Sequence, residues 1–193
     1  MKISPRTQMR LLGFLPLIFF FAQAIHYWRI NQLGQLCWMC NIGNLVLALG
    51  LFLERRLLVR VAAIWTIPGL LVWFVYVVLA WGVFLSSMLA HVGGLVVAVI
   101  ALRSYGMDRY SWLYAFGWLL VMQLASRLFT APELNVNLAH AVQPGWERTF
   151  ISYWIFWLVL TMVSAVVLWL SALFWRGLWP TAGSRNLAAT ILP

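Results

Sequence analysis

The chain has 193 residues, 64% of them hydrophobic and 9% charged, with 13 Lys and Arg against 4 Asp and Glu and a net charge of +9. So little charge cannot cover the surface of a water-soluble domain of ordinary composition. The positive balance does not indicate a nucleic-acid partner either, because the basic residues flank apolar runs instead of clustering on one polar face.

A transmembrane helix needs ~20 mostly apolar residues to cross a hydrocarbon core of ~30 Å. Six stretches qualify: Leu11–Tyr27, Leu36–Leu53, Val61–Trp81, Val83–Leu102, Tyr110–Leu128 and Ile151–Trp175. Backbone amides in lipid must bond within their own segment, and the alternation of a membrane β-barrel is absent from the sequence, so the fold class is all-α and polytopic. One domain is expected over residues 1–176, followed by a loosely ordered cytoplasmic tail, 177–193.

The first stretch follows the basic Met1–Arg10 and ends near Ala22-Gln23-Ala24, as a cleavable signal peptide does. The apolar run continues through Ile25 to Trp28, so retention is expected. Gln23 and His26 close this segment. The second opens on Leu36-Cys37-Trp38-Met39-Cys40-Asn41-Ile42-Gly43-Asn44 and becomes apolar from Leu45 to Leu53. Helical spacing places positions 37, 40, 41 and 44 on one stripe. The third carries Pro68-Gly69, a predicted kink. The fourth carries Ser86, Ser87, His91, Gly93 and Gly94 in its first half, with 87, 91 and 94 on one face. The fifth ends with Gln123, Ser126 and Arg127. The loop Thr130–Arg148 is long enough to be functional, and a flexible or interfacial connector is the plain alternative. Most of the 13 tryptophans, Trp175 among them, are read as interfacial anchors or packing residues.

Basic residues give the orientation. With the N-terminus inside, the inner loops hold Lys2, Arg6, Arg10, Arg55, Arg56, Arg60, Arg103, Arg109, Arg176 and Arg185, against Arg29, Arg127 and Arg148 outside. Ten against three predicts both termini inside, in a cell membrane of the bacterial inner-membrane kind. The histidines, the cysteines and most intramembrane amides then fall in the outer halves of the helices, the pattern of a polar cavity open to the outer leaflet above an apolar plug. Each of these residues alone reads as helix packing; their coincidence at one depth points to a site.

Within that set, Cys40 and His91 are the candidate catalytic pair. Cys40 lies near a helix N-terminus, where amides and the helix dipole favour a thiolate, and His91 is a candidate to move its proton. Asn41 and Asn44 are candidates to orient the imidazole or donate to an oxyanion. Gln123 and Arg127 are candidates for the head group of an anionic lipid. No cofactor is called for, and two cysteines with three scattered histidines lack convincing zinc spacing.

Cys40-Asn41-Ile42, Glu54-Arg55-Arg56 and Ser87-Met88-Leu89-Ala90-His91 resemble the six-span YwaF-like bacterial membrane proteins. Those are similar to a eukaryotic transmembrane acyltransferase of ether phospholipids and, distantly, to the androgen-induced lipid hydrolases. The resemblance implies a cysteine or threonine nucleophile working with a histidine on a later helix, here Cys40 and His91, on a membrane phospholipid or other acyl lipid. The chain differs in having Trp38 where family members often carry a histidine, and in its segment Thr130–Trp146.

Two other readings stand beside this one. Cys37 and Cys40 form a C-x-x-C, the pattern of thiol–disulfide redox proteins, but a relay of the thiol–quinone type needs a second cysteine pair that this chain lacks. The non-enzymatic reading is an accessory membrane protein; no inverted repeat supports transport.

Overall fold

The computed structural model describes residues 4–80 and 83–181. Within the described residues the chain is helical, with a single isolated bridge between Met107 and Pro180. The main helices are α1 (Pro5–Arg29), α2 (Met39–Phe52), α3 (Arg56–Ala80), α4 (Leu85–Tyr105), α5 (Ser111–Phe129) and α6 (Tyr153–Leu178). All but α2 are long and apolar enough to cross a membrane. Their outward residues include Leu71, Val72, Phe74, Val75 and Val78 on α3 and Leu158, Met162, Val163 and Val166 on α6, all at least half exposed. An apolar surface of this extent suits lipid and not water, and makes this a multi-pass membrane protein.

Several boundaries differ from the sequence expectation, each for a local reason. Helix α1 begins at Pro5 and not Leu11, because Ser4 caps it, accepting from Thr7 N at 3.2 Å, with proline at the first helical position. It is jointed at Gly13, where a Cβ would stand 3.1 Å from the Phe52 ring and 3.2 Å from Leu51, so α1 crosses α2 closely there. Helix α2 starts at Met39 and not Leu36. Leu33–Cys37 is a 3₁₀ turn, and Trp38 is extended with ψ 137°. With 14 residues, α2 is ~21 Å long, short of a bilayer core. Helix α3 runs unbroken through Pro68, which has no N–H to offer the Ile64 carbonyl. Helix α4 carries a π-helical turn, Leu89–Gly93, which no sequence pattern announced.

Side-chain bonds fix which helix ends meet. At one end, Arg10 pairs with Glu54 at 2.8 Å, joining the start of α1 to the α2–α3 turn. Arg60 at the start of α3 donates to the Gly106 carbonyl at 2.7 Å, the Tyr105 carbonyl at 3.0 Å and the Asp108 carboxylate. Asp108 in turn accepts from Tyr110 N and Ser111 N, each at 2.8 Å, and so caps α5. Burial pushes the Asp108 carboxyl up, but those two amides and the Arg60 guanidinium outweigh it, and its pKa lies below the usual value. Met107 N donates to the Trp179 carbonyl at 2.7 Å, which brings the end of α6 to the same place. The tail expected to be loose is therefore held at Trp179, whose ring also stacks on Trp175; residues 182–193, with Arg185, lie outside the described residues, as do Lys2 and Trp81.

The core fills the half of the bundle nearest this end. Leu47 and Leu51, Val59 and Ile64, and Val97 and Leu102 pack between α2, α3 and α4 with almost no exposure. Gly50 makes this possible: a Cβ there would stand 2.9 Å from Val59 N. Trp175 is buried and donates to the Ala63 carbonyl at 2.9 Å, so it ties α6 to α3 and is no interfacial anchor.

Candidate functional site

The polar residues gather at the opposite end of α2 and α4, as their depth in the sequence implied, but they divide into separate clusters. In the first, α1, α2 and α4 are laced together. Ser86 Oγ donates to Gln23 Oε1 at 2.7 Å, Gln23 Nε2 to Asn41 Oδ1 at 3.3 Å, and Asn41 Nδ2 to the Gln35 carbonyl at 3.1 Å. Gln23 and Asn41 are almost fully buried, so these bonds satisfy amides that would otherwise be costly in lipid. Asn41 thus serves helix packing and does not orient the imidazole.

The second cluster surrounds a cavity of about 20 Å³, room for a single water, between α2, α3 and α4. Cys40, Gly43 and Asn44 of α2, Thr66 and Gly69 of α3, and His91 of α4 are on its wall. The two candidate catalytic side chains, 51 positions apart in sequence, therefore face one space. Cys40 is the second residue of α2. His91 Nδ1 sits 2.8 Å from the Ser87 carbonyl. Since a carbonyl only accepts, Nδ1 carries the hydrogen, and in the neutral ring the lone pair belongs to Nε2. Trp73 stacks on the imidazole, 5.2 Å between centroids, and its indole N–H donates to Ser87 Oγ at 2.6 Å. The ring is thus held by its own helix on one side and by α3 on the other.

Asn44 is on the wall too, but its role differs from the expectation. Nδ2 donates to the Cys40 carbonyl at 3.0 Å and the Ala90 carbonyl at 2.9 Å. Both its hydrogens are engaged, so it has none left for an oxyanion. Its Oδ1 is a buried acceptor without a protein partner. Gly94 makes room for it, since a Cβ there would fall 2.7 Å from that oxygen. Gly93 admits the Phe19 ring of α1 in the same way.

Gln123 and Arg127 do not reach this cavity. Gln123 Oε1 accepts from Trp157 Nε1 at 3.1 Å, joining α5 to α6. Arg127 Nη1 donates to the Ala139 carbonyl at 2.8 Å and lies over the rings of Tyr153 and Trp154. Cys37 is also apart. It belongs to the 3₁₀ turn, so the predicted stripe of 37, 40, 41 and 44 does not exist, and both cysteines are free thiols.

The loop after α5 is structural in a way the sequence reading missed. Asn137 is buried in the left-handed conformation, φ 52°. Its Oδ1 accepts from Met39 N at 3.0 Å, and its Nδ2 donates to the Cys37 carbonyl at 2.9 Å and to Ser126 Oγ at 2.8 Å. It caps the helix that presents Cys40, from 98 residues away. Nearby, Asn135 Oδ1 accepts from His140 N and Ala141 N at 3.0 Å each, and His140 Nε2 lies 3.2 Å from the Ser126 carbonyl. The loop is a cap with two left-handed asparagines. The only sequence signal for it was its content of asparagine, the residue besides glycine that best tolerates positive φ.

Comparison with family models, with curated proteins and with solved structures returns no match. The resemblance to the YwaF-like proteins therefore rests on the residues quoted for it.

Proposed function

We propose that this is a six-span lipid acyltransferase or hydrolase of the YwaF-like kind, with Cys40 as nucleophile and His91 as proton carrier. The observation that carries the reading is that both side chains line one cavity, whereas Asn41, Gln123 and Arg127 are bonded away from it. In this reading α2 crosses the membrane together with its preceding 3₁₀ turn, and the arginine-rich end, with both termini, faces the cytoplasm of a bacterial cell. The cysteine end then opens toward the outer leaflet, where a membrane phospholipid or other acyl lipid supplies the ester.

The chemistry follows from the donors present. A free thiolate is costly against so apolar a wall, so the Cys40 proton passes to His91 Nε2 as sulfur attacks the ester carbonyl. The cavity has room for one water to bridge the two side chains. The new C–S bond forms a tetrahedral oxyanion, for which the Cys40 amide at the α2 N-terminus is a candidate donor, since those of Met39, Asn41 and Ile42 are bonded to Asn137 and to the Trp38 carbonyl. The ester C–O bond then breaks, His91 returns the proton to the leaving alcohol, and a thioester remains. A second alcohol, or water, attacks it with His91 as base, and the C–S bond breaks to restore the thiol. An alcohol makes the net reaction transfer and water makes it hydrolysis.

The test is labelling of the purified full-length protein by a lipid-like ester probe in detergent. Labelling is expected at Cys40, lost in Cys40→Ala, reduced at least ~100-fold in His91→Ala, and kept in Cys37→Ala. Loss in Cys37→Ala would instead favour redox chemistry of the cysteine pair. Labelling unaffected by any of the three would leave an accessory role.

A further inference from the structure

At the arginine-rich end, far from Cys40, a second cavity of about 30 Å³ lies between the start of α5 and the end of α6. Its rim carries Arg109 and Arg176, and its wall Trp112, Trp169 and Leu173. Asp108 also touches it but does not neutralise the arginines: one carboxylate oxygen is bound by Arg60, and the other by the amides of Tyr110 and Ser111. Among the described residues neither Arg109 nor Arg176 forms an ion pair. Two guanidinium groups therefore line one cleft without a bound anion from the chain, that of Arg109 lying over the Tyr110 ring at 4.5 Å, beside Trp112, which packs partly buried against the core, and the exposed Trp169 of α6.

We propose that this cleft binds an anionic glycerophospholipid, its phosphodiester between Arg109 and Arg176 and the upper part of its acyl chains against Trp112, Trp169 and Leu173. Guanidinium forks match phosphate oxygens, and basic clefts between transmembrane helices are suited to acidic head groups. The shared chemistry, a phosphate oxyanion, would also admit free phosphate. The apolar wall is what favours a lipid, since inorganic phosphate gains nothing from indole and leucine. The position suits a structural lipid, because it joins the start of α5 to the end of α6 beside the Met107–Trp179 backbone bond. This inference does not depend on the reading of Cys40 and His91.

The experiment uses the full chain in mild detergent. Thermal unfolding is followed with added phosphatidylglycerol, with phosphatidylcholine, or with inorganic phosphate, and native mass spectrometry counts retained lipids. Phosphatidylglycerol near saturation is expected to raise Tm by about 5–10 °C, with one lipid retained at high collision energy; phosphatidylcholine and phosphate are expected to do neither. Arg109→Gln with Arg176→Gln should abolish the rise and the retained lipid. Arg55→Gln with Arg56→Gln, the same charge change elsewhere on that end, should keep both. If the glutamine pair destabilises the protein, the Lys pair supplies a second test: it keeps charge but loses the fork, and should weaken retention at least ~10-fold. The proposal is overturned if the Arg109/Arg176 variants retain lipid as the wild type does, if the Arg55/Arg56 variant loses it equally, or if inorganic phosphate gives the same rise.

Discussion

Asn137 offers the sharpest test of how the site is held. Replacing it with glycine keeps the left-handed backbone without strain and removes only the side chain. Three bonds go with it: Met39 N–H and the Cys37 carbonyl lose their partner, and Ser126 Oγ loses a donor. Met39 is buried, so its amide bears the full penalty of an unmade bond, whereas half-buried Cys37 can find water in part. At ~1–3 kcal/mol for an orphaned buried group and less for the second, the loss should be about 2–4 kcal/mol. For a chain of this size that is roughly 4–16 °C in Tm. Alanine should cost a further ~1–2 kcal/mol, because it must hold a positive φ. Unfolding followed by tryptophan fluorescence gives the Tm, and hydrogen exchange by mass spectrometry reads the start of α2 directly. Exchange at residues 39–42 should speed up roughly tenfold for each 1.4 kcal/mol lost, ahead of any change in the α3 core. A glycine variant with wild-type Tm and wild-type exchange at Met39 would refute the capping role of the loop.

Three further outcomes follow from the same geometry. Gly94→Val places carbon where Asn44 Oδ1 now lies; it should cost about 1–3 kcal/mol and slow probe labelling of Cys40, read by thermal unfolding and by labelling rate. Gly43 is on the cavity wall, and a Cβ there meets nothing within 4 Å. Gly43→Ala should therefore leave Tm within about 2 °C while slowing labelling by a bulky lipid probe and sparing a small alkylating reagent. For Asp108 the folded pKa is depressed, so its contribution is present above the unfolded pKa of ~3.9 and lost as pH falls through the folded value. Asp108→Asn should lower Tm at pH 7 and converge on the wild type in acid, once the pH has fallen through the folded value, as a pH series of melting curves would show.

The membrane class and the place of the polar residues along their helices were legible because hydropathy and charge act over whole segments, whereas among the described residues five of the six expected spans are helices long enough to cross. Cys40 and His91 could be paired because depth along two helices is a one-dimensional quantity. What the sequence did not carry was rotation and partner choice. Asn41 and Asn44, three residues apart, look alike in the sequence, yet Asn41 bonds Gln23 across to α1 while Asn44 bonds Ala90 across to α4. The stripe through Cys37 failed because Asn137, a hundred positions downstream, provides the cap at Met39 and lets the chain leave helical geometry at Trp38. Arg60 was read only as a topology signal, since nothing local to it foretells the carbonyls of Tyr105 and Gly106 that it bonds.

The cavity holds about one water, whereas an acyl lipid is far larger, so the proposed chemistry requires the walls to part. Two of the three helices around the cavity depart from regular hydrogen bonding beside it: α3 at Pro68, which leaves the Ile64 carbonyl without its helical donor, and α4 in the π turn that carries His91. Next to them stand Gly43 and Gly69, with little side-chain bulk to move. Beyond Pro68 the outward face of α3 is exposed apolar surface, and it bonds its neighbours through Trp73 to Ser87. By contrast, the arginine-rich half of the same helix is fixed by Arg60, Trp65 and the Ala63–Trp175 bond. On the proposed reading, this half of α3, with few bonds to its neighbours among the described residues, is where the wall would part to admit a lipid ester sideways at the level of Cys40, away from the core.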